Sequence, residues 1–165
     1  MMKNINISKE LKVVEKYIKK DLNNEKTISG LYKYIFRSSG KKMRARLSLI
    51  SSSVRNHKDR FKLASIIELL HTATLVHDDV VDNSSVRRGV KSVHNVWTNS
   101  HGVLIGDYIY SKAFILMVEI GKKNILNELA SATNDISQGE LIQLDAIRNI
   151  KISLNKLKKI SYFKT

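Results

Sequence analysis

The sequence predicts an all-α fold, and three observations support this prediction. Apolar residues near the start of the chain recur at spacings of three and four, which places them on one face of a helix. A long run after Gly102 is apolar nearly all round, as a buried helix would be. No segment alternates apolar and polar residues as a half-buried strand does. The 165 residues suffice for one domain with a core and are few for two.

The amino-terminal part is predicted to form three helices. Residues 1–20 form an amphipathic helix. Its apolar positions are Leu11, Val14 and Ile18. A second, short helix opens at Thr27 or Ser29. Its core positions are Leu31, Tyr34 and Ile35. A third helix begins in the turn at Gly40 and continues to about Ile50.

The segment Ser38–Arg44 joins a small-residue turn to the start of the third helix. Free backbone N–H groups at a helix start attract anions, and three cations, Lys41, Lys42 and Arg44, lie beside them. This pattern favours an anion cradle. A lysine-rich helix cap on the surface is the alternative, and the pattern alone does not exclude it.

The fourth predicted helix runs from Phe61 to Asp82 and ends in three carboxylates. Carboxylates this close raise one another's pKa values unless a cation lies between them. On a helix, Asp78 and Asp82 are one turn apart and point the same way, with Asp79 beside them. Mg²⁺ usually takes one or two protein carboxylates and shares its other positions with water and substrate phosphate. The carboxylates therefore predict a magnesium site.

Two arginines follow the carboxylates in the loop Arg87-Arg88-Gly89. Their planar guanidinium groups bind phosphate oxygens, so the predicted site suits magnesium and a diphosphate. One stripe of the preceding helix joins this polar end to an apolar wall, which suits a substrate with an anionic head and a hydrocarbon tail. The stripe consists of Ile67, His71, Thr74, Leu75, Asp78 and Asp82. The alternative is an amphipathic helix with a solvated acidic end.

Three further helices are predicted after the arginine loop. The apolar run from Gly102 is a buried helix, in which Gly106 lets another helix approach closely. Residues 124–148 form a long helix, and residues 151–159 begin the last one. The long helix carries the polar positions Gln138, Glu140 and Gln143.

The bulk composition restricts the compartment and the partners. A net charge of +14 suggests nucleic-acid binding, which we reject because the lysines are spread along the chain without interleaved aromatic residues. Part of this charge can attract diphosphates or anionic lipid headgroups. The lack of cysteine excludes disulfides and thiolate metal sites. The first residues lack the apolar core of a signal peptide and no run could span a bilayer, so we expect a cytoplasmic protein with at most peripheral membrane contact.

The motifs and their order resemble the amino-terminal part of the trans-type polyprenyl diphosphate synthases, most closely the long-chain, octaprenyl-like bacterial branch. The matching pieces are Gly40-Lys41-Lys42-Met43-Arg44, His71 to Asp82, Arg87-Arg88-Gly89, Gly106-Asp107-Tyr108, Gly139-Glu140-x-x-Gln143 and Lys164-Thr165. Six pieces in order are far more specific than any one of them. The resemblance implies an antiparallel helix bundle of the isoprenoid-synthase type, of which residues 1–165 would form a single partial domain.

The resemblance also implies roles for individual residues. Those that would hold the diphosphate of isopentenyl diphosphate are Lys41, Arg44, His71 and Arg88. Asp78 and Asp82, with Asp79 in support, would bind the magnesium ion at the allylic diphosphate. Arg87 would also contact that diphosphate. Gln143 would face the metal site, while Lys164 and Thr165 would lie beside the allylic substrate. A homodimer is expected on the same grounds.

The implied reaction is ionisation of the allylic C–O bond, attack by the isopentenyl double bond and loss of a proton to the released diphosphate. The product would be a long all-trans polyprenyl diphosphate, a precursor of quinone side chains. Its length depends on the residues one turn before Asp78, which form the floor beneath the growing tail. Because Ala73 and Thr74 are small, this floor is expected to be open and the product long.

The chain departs from the family pattern at four points. Ser39 replaces a glycine, Lys42 an arginine and Ala45 a proline, and nothing matches the second aspartate-rich motif of the family's carboxy-terminal half. One alternative is therefore a truncated, non-catalytic subunit that binds a partner synthase. Another is a terpene cyclase, which shares acidic metal motifs but should lack the cationic segments at Gly40–Arg44 and Arg87-Arg88.

Overall fold

The computed structural model describes residues 6–20, 25–37, 40–52 and 57–164, and these residues form eight α-helices and one short β-hairpin. The predicted all-α fold is confirmed. The chain divides into two compact units, Met1–Ile120 and Gly121–Thr165, and each is described by itself. The single partial domain expected over residues 1–165 stays a prediction.

The first three helices agree with the elements predicted for the amino-terminal part, although residues 1–5 of the first predicted helix and the turn residues Ser38 and Ser39 lie outside the described residues. Helix α1 spans Ile7–Ile18 and is capped by Asn6, whose side chain accepts a hydrogen bond from the backbone N–H of Lys9. Helix α2 spans Lys26–Ile35, and α3 spans Met43–Ser51. The predicted core positions that are buried are Leu11, Val14, Ile18 and Leu31. Tyr34 and Ile35 are half-buried.

Helix α4 spans His57–Val81 and is the central element of the first unit. It begins four residues before the predicted start at Phe61, and Asp82 lies in the turn that follows it. Helices α1, α3 and α6 all pack against it. The largest side chains that are completely buried are Tyr32, Leu49, Ile66, Leu69, Ile109 and Val14. The core of this unit therefore surrounds α4.

The segment that carries the two arginines is a β-hairpin rather than the predicted loop. Strand β1 spans Val86–Arg87, and strand β2, which spans Val90–Lys91, pairs with it in the antiparallel sense. Arg88 and Gly89 form the turn, with φ angles of 53° and 75°. A two-residue turn with positive φ at both positions matches the twist of the paired strands. Strands of two residues are too short to produce a detectable alternation in the sequence.

Helix α5 spans Val93–Val96, and α6 spans Asn99–Ile120. The prediction that the apolar run in α6 is buried all round is wrong, because Leu104 and Val118 are 67% and 73% exposed. Only one face of α6 packs against α4. The expected close approach at Gly106 is confirmed: the ring of His77 occupies the space that a Cβ atom at Gly106 would need.

The second unit is a pair of helices. Helix α7 spans Lys123–Ala146, close to the predicted 124–148, and α8 spans Leu154–Lys164. Gly139 of α7 lies directly against Phe163 and Lys164, so α8 folds back along α7. Among the described residues, no helix has both the length and the apolar character that crossing a bilayer requires.

Candidate functional site

A cavity of about 220 Å³ in the first unit brings together residues from three separate segments that were predicted to bind diphosphate. The segment before α3 contributes Lys41 and Arg44, α4 contributes His71, and the hairpin contributes Arg87 and Arg88. These five residues are the complete set predicted to contact diphosphate within the first unit. The cavity is therefore cationic and lies between α3, α4 and the hairpin.

The segment before α3 is held in place by polar contacts at the start of the helix. Glu68 on α4 is 8% exposed, and its carboxylate accepts a hydrogen bond of 3.0 Å from the backbone N–H of Ala45. Lys42 adopts a left-handed conformation with φ of 47°, and its ammonium group pairs with Glu15 of α1. This contact lowers the pKa of Glu15. Lys42 therefore points towards α1 and links the segment before α3 to that helix.

The hairpin places its two arginines differently. The guanidinium group of Arg88 lies directly over Gly40, where a Cβ atom would collide with it. Nε of Arg87 donates a hydrogen bond of 2.8 Å to Oδ1 of Asp79, whose residue is 5% exposed. A carboxylate this buried needs a cationic partner, because the protein interior solvates charge poorly. Asp79 thus orients Arg87 at the cavity wall.

His71 lies at the centre of the cationic group. Its Nε2 atom is 3.0 Å from Nη1 of Arg44, and both residues line the cavity. Burial lowers the pKa of His71 to about 4, and the positive charges of Arg44, Arg88 and Arg87 lower it in the same direction. At neutral pH the imidazole is therefore uncharged and can accept a hydrogen bond from the guanidinium group of Arg44.

Asp78 faces a different side of α4 from Asp79. Asp79 lines the cavity, whereas the charge of Asp78 acts on Tyr110 of α6. Burial is the main cause that raises the pKa of Tyr110, and the carboxylates of Asp78 and Asp107 add to it. Consecutive helix residues point about 100° apart, which separates the two carboxylates. Asp82 is exposed in the turn after α4.

The donor set at the end of α4 fits a hard divalent cation. Asp78 and Asp82 offer carboxylate oxygens, and Asp79 is engaged by Arg87. Mg²⁺ commonly binds one or two carboxylates and keeps several water molecules. Within the part of the chain that the structure describes, no group of three or more His, Asp or Glu side chains is arranged to hold a metal ion together. The fit therefore rests on two carboxylates.

The two residues expected to set product length differ in burial. Ala73 is completely buried in the core around α4. Thr74 is half-buried, and its hydroxyl donates a hydrogen bond of 2.8 Å to the backbone carbonyl of His71. The role of both residues in product length stays a prediction.

In the second unit, two of the predicted substrate-binding residues contact each other. Nζ of Lys164 donates a hydrogen bond of 2.7 Å to Oε1 of Gln143 and lies 2.7 Å from Oε1 of Glu140. The three side chains form a small polar cluster between α7 and α8. Thr165, the remaining predicted contact of the allylic substrate, lies outside the described residues.

Sequence reasoning missed Glu68, which holds the start of α3 at the cavity, and His77, which joins α4 to α6. Glu68 lines the cavity and holds the start of α3. His77 lies 3.3 Å from Asp107 of α6, stacks on Tyr110 and precedes Asp78 directly. A glutamate inside a largely apolar helix was the one available signal for Glu68. The contacts of His77 depend on the α4–α6 packing, which no local pattern reveals.

A family model and individual relatives identify the same protein family for this chain. The family model described as polyprenyl synthetase matches residues 25–165. The chain is 35% identical over 144 residues to an all-trans-nonaprenyl-diphosphate synthase (geranyl-diphosphate specific) of Rhodobacter capsulatus, covering 85% of this chain and 44% of that protein. It is 34% identical over 151 residues to the octaprenyl diphosphate synthase of Escherichia coli, covering 90% of this chain and 47% of that protein.

Solved structures give the same result for the fold. The crystal structure of a decaprenyl diphosphate synthase from Rhodobacter capsulatus superposes with a TM-score of 0.85 at 30% identity, over 96% of this chain and 50% of that one. A polyprenyl synthase from Caulobacter crescentus, complexed with calcium and isoprenyl diphosphate, superposes with a TM-score of 0.86 at 32% identity, over 96% and 49%. The predicted isoprenoid-synthase type of helix bundle is thus confirmed. The chain spans about half the length of the relatives it matches.

Proposed function

Because this chain belongs to the polyprenyl synthetase family, we propose that it carries the isopentenyl diphosphate site and the first metal-binding carboxylates of a prenyltransferase. The proposed reaction condenses isopentenyl diphosphate with an allylic prenyl diphosphate. Its product is a long-chain all-trans polyprenyl diphosphate, octaprenyl-like and suited to a quinone side chain. The names of the relatives, which make nonaprenyl and octaprenyl diphosphates, support the long-chain class.

The observation that carries this proposal is the convergence of five predicted residues on one cavity. Lys41, Arg44, Arg87 and Arg88 supply positive charge, and uncharged His71 accepts from Arg44. A diphosphate carries several negative charges and acceptor oxygens, and guanidinium groups bind such oxygens in pairs. The contact between Arg88 and Gly40 supports the use of both segments together. We assign the diphosphate of isopentenyl diphosphate to this cavity.

The metal is proposed to be Mg²⁺, held by Asp78 and Asp82, with Asp79 acting in support through Arg87. When bound, such an ion neutralises the charge of the allylic diphosphate. The calcium and isoprenyl diphosphate in the Caulobacter crescentus enzyme support the use of a divalent cation by that relative. Arg87 is proposed to contact the allylic diphosphate from the cavity wall.

The residues of this chain would act by binding and by charge stabilisation. The allylic C–O bond breaks and its electron pair leaves with the diphosphate, whose growing charge Arg87 stabilises. The double bond of isopentenyl diphosphate, oriented by Arg44 and Arg88, then forms the new C–C bond. The proton lost from the adduct passes to the released diphosphate. No side-chain base is assigned to this step.

The remaining assignments concern the allylic side and the assembly. Gln143 is proposed to act at the metal site, and Lys164 with Thr165 beside the allylic substrate. The contact between Lys164 and Gln143 supports a common role for these two side chains. We further propose a cytoplasmic homodimer, which uses no nucleic acid and touches membranes only at the periphery.

The proposal is tested by titrating the chain with isopentenyl diphosphate in a calorimeter. Arg44→Ala and Arg88→Ala should each weaken binding at least about tenfold, because each removes a charge-assisted hydrogen-bond donor. Lys33→Ala is the control, since Lys33 is exposed on α2 and does not line the cavity, and it should bind as the wild type does. Equal affinity in all four proteins would contradict the assignment.

Metal use and catalysis need separate measurements. Titration with Mg²⁺ in the presence of farnesyl diphosphate should lose its signal in Asp78→Ala and in Asp82→Ala. The chain is then incubated with Mg²⁺, farnesyl diphosphate and labelled isopentenyl diphosphate. Labelled product supports the prenyltransferase. Binding without incorporation would favour the alternative, a non-catalytic subunit that binds a partner synthase.

A further inference from the structure

The last part of the second unit combines positive charge with exposed apolar side chains. Residues 146–165 contain six basic residues and no acidic residue. The basic residues are Arg148, Lys151, Lys156, Lys158, Lys159 and Lys164. Lys164 pairs with Glu140, whereas Lys151, Lys158 and Lys159 are exposed. The proposed reaction uses none of the other five.

The apolar residues of the same segment are unusually exposed. Ile150, in the connection between α7 and α8, is 96% exposed, and Tyr162 on α8 is 79% exposed. Leu154 and Leu157, which lie on one face of α8 together with Lys158 and Tyr162, are 65% and 47% exposed. The basic–apolar surface is defined here by Ile147, Arg148, Ile150, Lys151, Leu154, Leu157, Lys158 and Tyr162.

The combination of basic and apolar side chains on this surface favours one class of partner over the others. A second copy of the same surface would place positive charges opposite one another, which disfavours a symmetric contact. Nucleic acid would be bound by the charges, but exposed aliphatic side chains gain little from a phosphate backbone. An anionic bilayer satisfies both parts, because its headgroups attract lysine and its acyl chains accept apolar side chains. Lysine stems can lie along such a surface with their ammonium groups at the headgroups, and tyrosine favours the same depth.

We propose that the basic–apolar surface docks this chain on the face of an anionic lipid bilayer. The contact is peripheral: Ile150 and Leu154 insert among the headgroups while Lys151 and Lys158 bind anionic lipid. This inference does not depend on the proposed catalytic activity, since all of its residues lie outside the cationic cavity. If the chain also makes a long polyprenyl product, docking would place it beside the phase in which that product dissolves.

The test is co-flotation of the full chain with vesicles. One set contains phosphatidylcholine and phosphatidylglycerol in equal parts, and the other contains phosphatidylcholine alone. The wild type should bind the anionic vesicles, and high salt should weaken this binding. The double variant Ile150→Ser/Leu154→Ser should bind them about tenfold more weakly, because it removes the apolar contribution while keeping every charge. Lys151→Glu/Lys158→Glu should lose at least as much.

Matched controls separate docking from general adsorption of a basic protein. Leu104→Ser/Val118→Ser changes two exposed apolar residues on α6, and Lys16→Glu/Lys33→Glu changes two exposed lysines on α1 and α2. Both controls should float almost as the wild type does. Circular dichroism of each variant shows whether helix content is retained.

Three results would overturn the proposal. Equal binding of the wild type and the Ile150/Leu154 variant would show adsorption by charge alone. Equal losses in the test and control lysine variants would show that the location of the charge is irrelevant. Binding to a DNA duplex but not to vesicles would assign the surface to nucleic acid instead.

Discussion

At the scale of single residues, the chemistry of the cavity follows from side chains that the sequence already displays. The cationic motifs identified Lys41, Arg44, His71, Arg87 and Arg88, and the structure places all five on one cavity. Their partners could not be read in the same way. The pairing of Arg87 with Asp79 depends on how the hairpin packs on α4. Residue types are therefore predictable from motifs, whereas their contacts are fixed by packing.

Gly40 gives a test of the contact between two of these segments. Replacing Gly40 with alanine should displace the guanidinium group of Arg88, which lies where the new Cβ atom would be. The stability should change by less than about 1 kcal/mol, because the displaced group is the end of a flexible side chain. The affinity for isopentenyl diphosphate should fall about tenfold in calorimetry.

Gly30 is the matched control for this substitution. A Cβ atom added at Gly30 meets no neighbour within 4 Å, and the residue lies inside helix α2. Gly30→Ala should therefore raise the free energy of unfolding by about 0.5–1 kcal/mol and leave diphosphate affinity unchanged. A Gly40→Ala protein with wild-type affinity would show that Arg88 does not need its position over Gly40.

His71 gives a prediction for pH dependence. Its pKa is lowered from 6.5 to about 4, first by burial and then by the neighbouring arginines. As the pH falls below 6.5, the unfolded chain takes up the proton before the folded chain does. The stabilising contribution is therefore complete above this pH and is lost as the pH falls towards 4. Because the imidazole is only partly buried, we expect a loss of about 1–2 kcal/mol.

Urea denaturation at several pH values measures this effect. His71→Gln has no proton to gain, so its free energy of unfolding should fall less than that of the wild type between about pH 7 and pH 4. Parallel pH profiles for the two proteins would show that the environment of His71 does not disfavour its protonation.

At the scale of elements, the helices were predictable and the hairpin was not. Apolar spacing placed α1 to α4 within a few residues of their observed limits, since each helix buries one face. Two-residue strands carry no comparable signal, and Arg88 occupies a turn position that usually favours Asn, Asp or Gly. Only the packing of α6 shows that its apolar run has an exposed side. The spacing of apolar residues therefore predicts where the helices lie better than it predicts which of their faces are buried.

The hairpin turn predicts a conflict between stability and binding. Arg88 has φ of 53°, a conformation that asparagine adopts at lower cost. Arg88→Asn should therefore raise the free energy of unfolding by about 0.5 kcal/mol while weakening isopentenyl diphosphate binding about tenfold. Arg88→Lys keeps the charge and should weaken binding less, with no gain in stability. A variant Arg88→Asn that is less stable and binds normally would contradict both parts.

At the scale of the whole molecule, the net charge and the exposed apolar surface have opposite effects on association between copies of the chain. The chain carries a net charge of +14, and α6 exposes Leu104, Ile115 and Val118. Charge repulsion between copies weakens contacts between such surfaces, and salt screens this repulsion. This balance lay beyond sequence reasoning, because composition gives the charge but not which apolar residues remain exposed.

Sedimentation velocity should therefore show association that increases with ionic strength. We expect the proposed homodimer to dissociate more at about 0.05 M salt than at about 1 M, where the screening length is only about 3 Å. Leu104→Lys should reduce this association by placing a charge on α6. Leu47→Lys adds the same charge at an exposed position of α3 and is the control. A sedimentation coefficient that is independent of salt would contradict this prediction.

Two consecutive carboxylates of α4 act on different neighbours. Asp79 pairs with Arg87 of the hairpin, and the charge of Asp78 acts on Tyr110 of α6. A rotation or shift of this helix would move both carboxylates together, because they belong to one rigid turn. Substitutions in the packing of α4, even far from either acid, are therefore expected to alter the two sides jointly. A change in α4 that alters the contact with the hairpin is therefore expected to alter the contact with α6 as well.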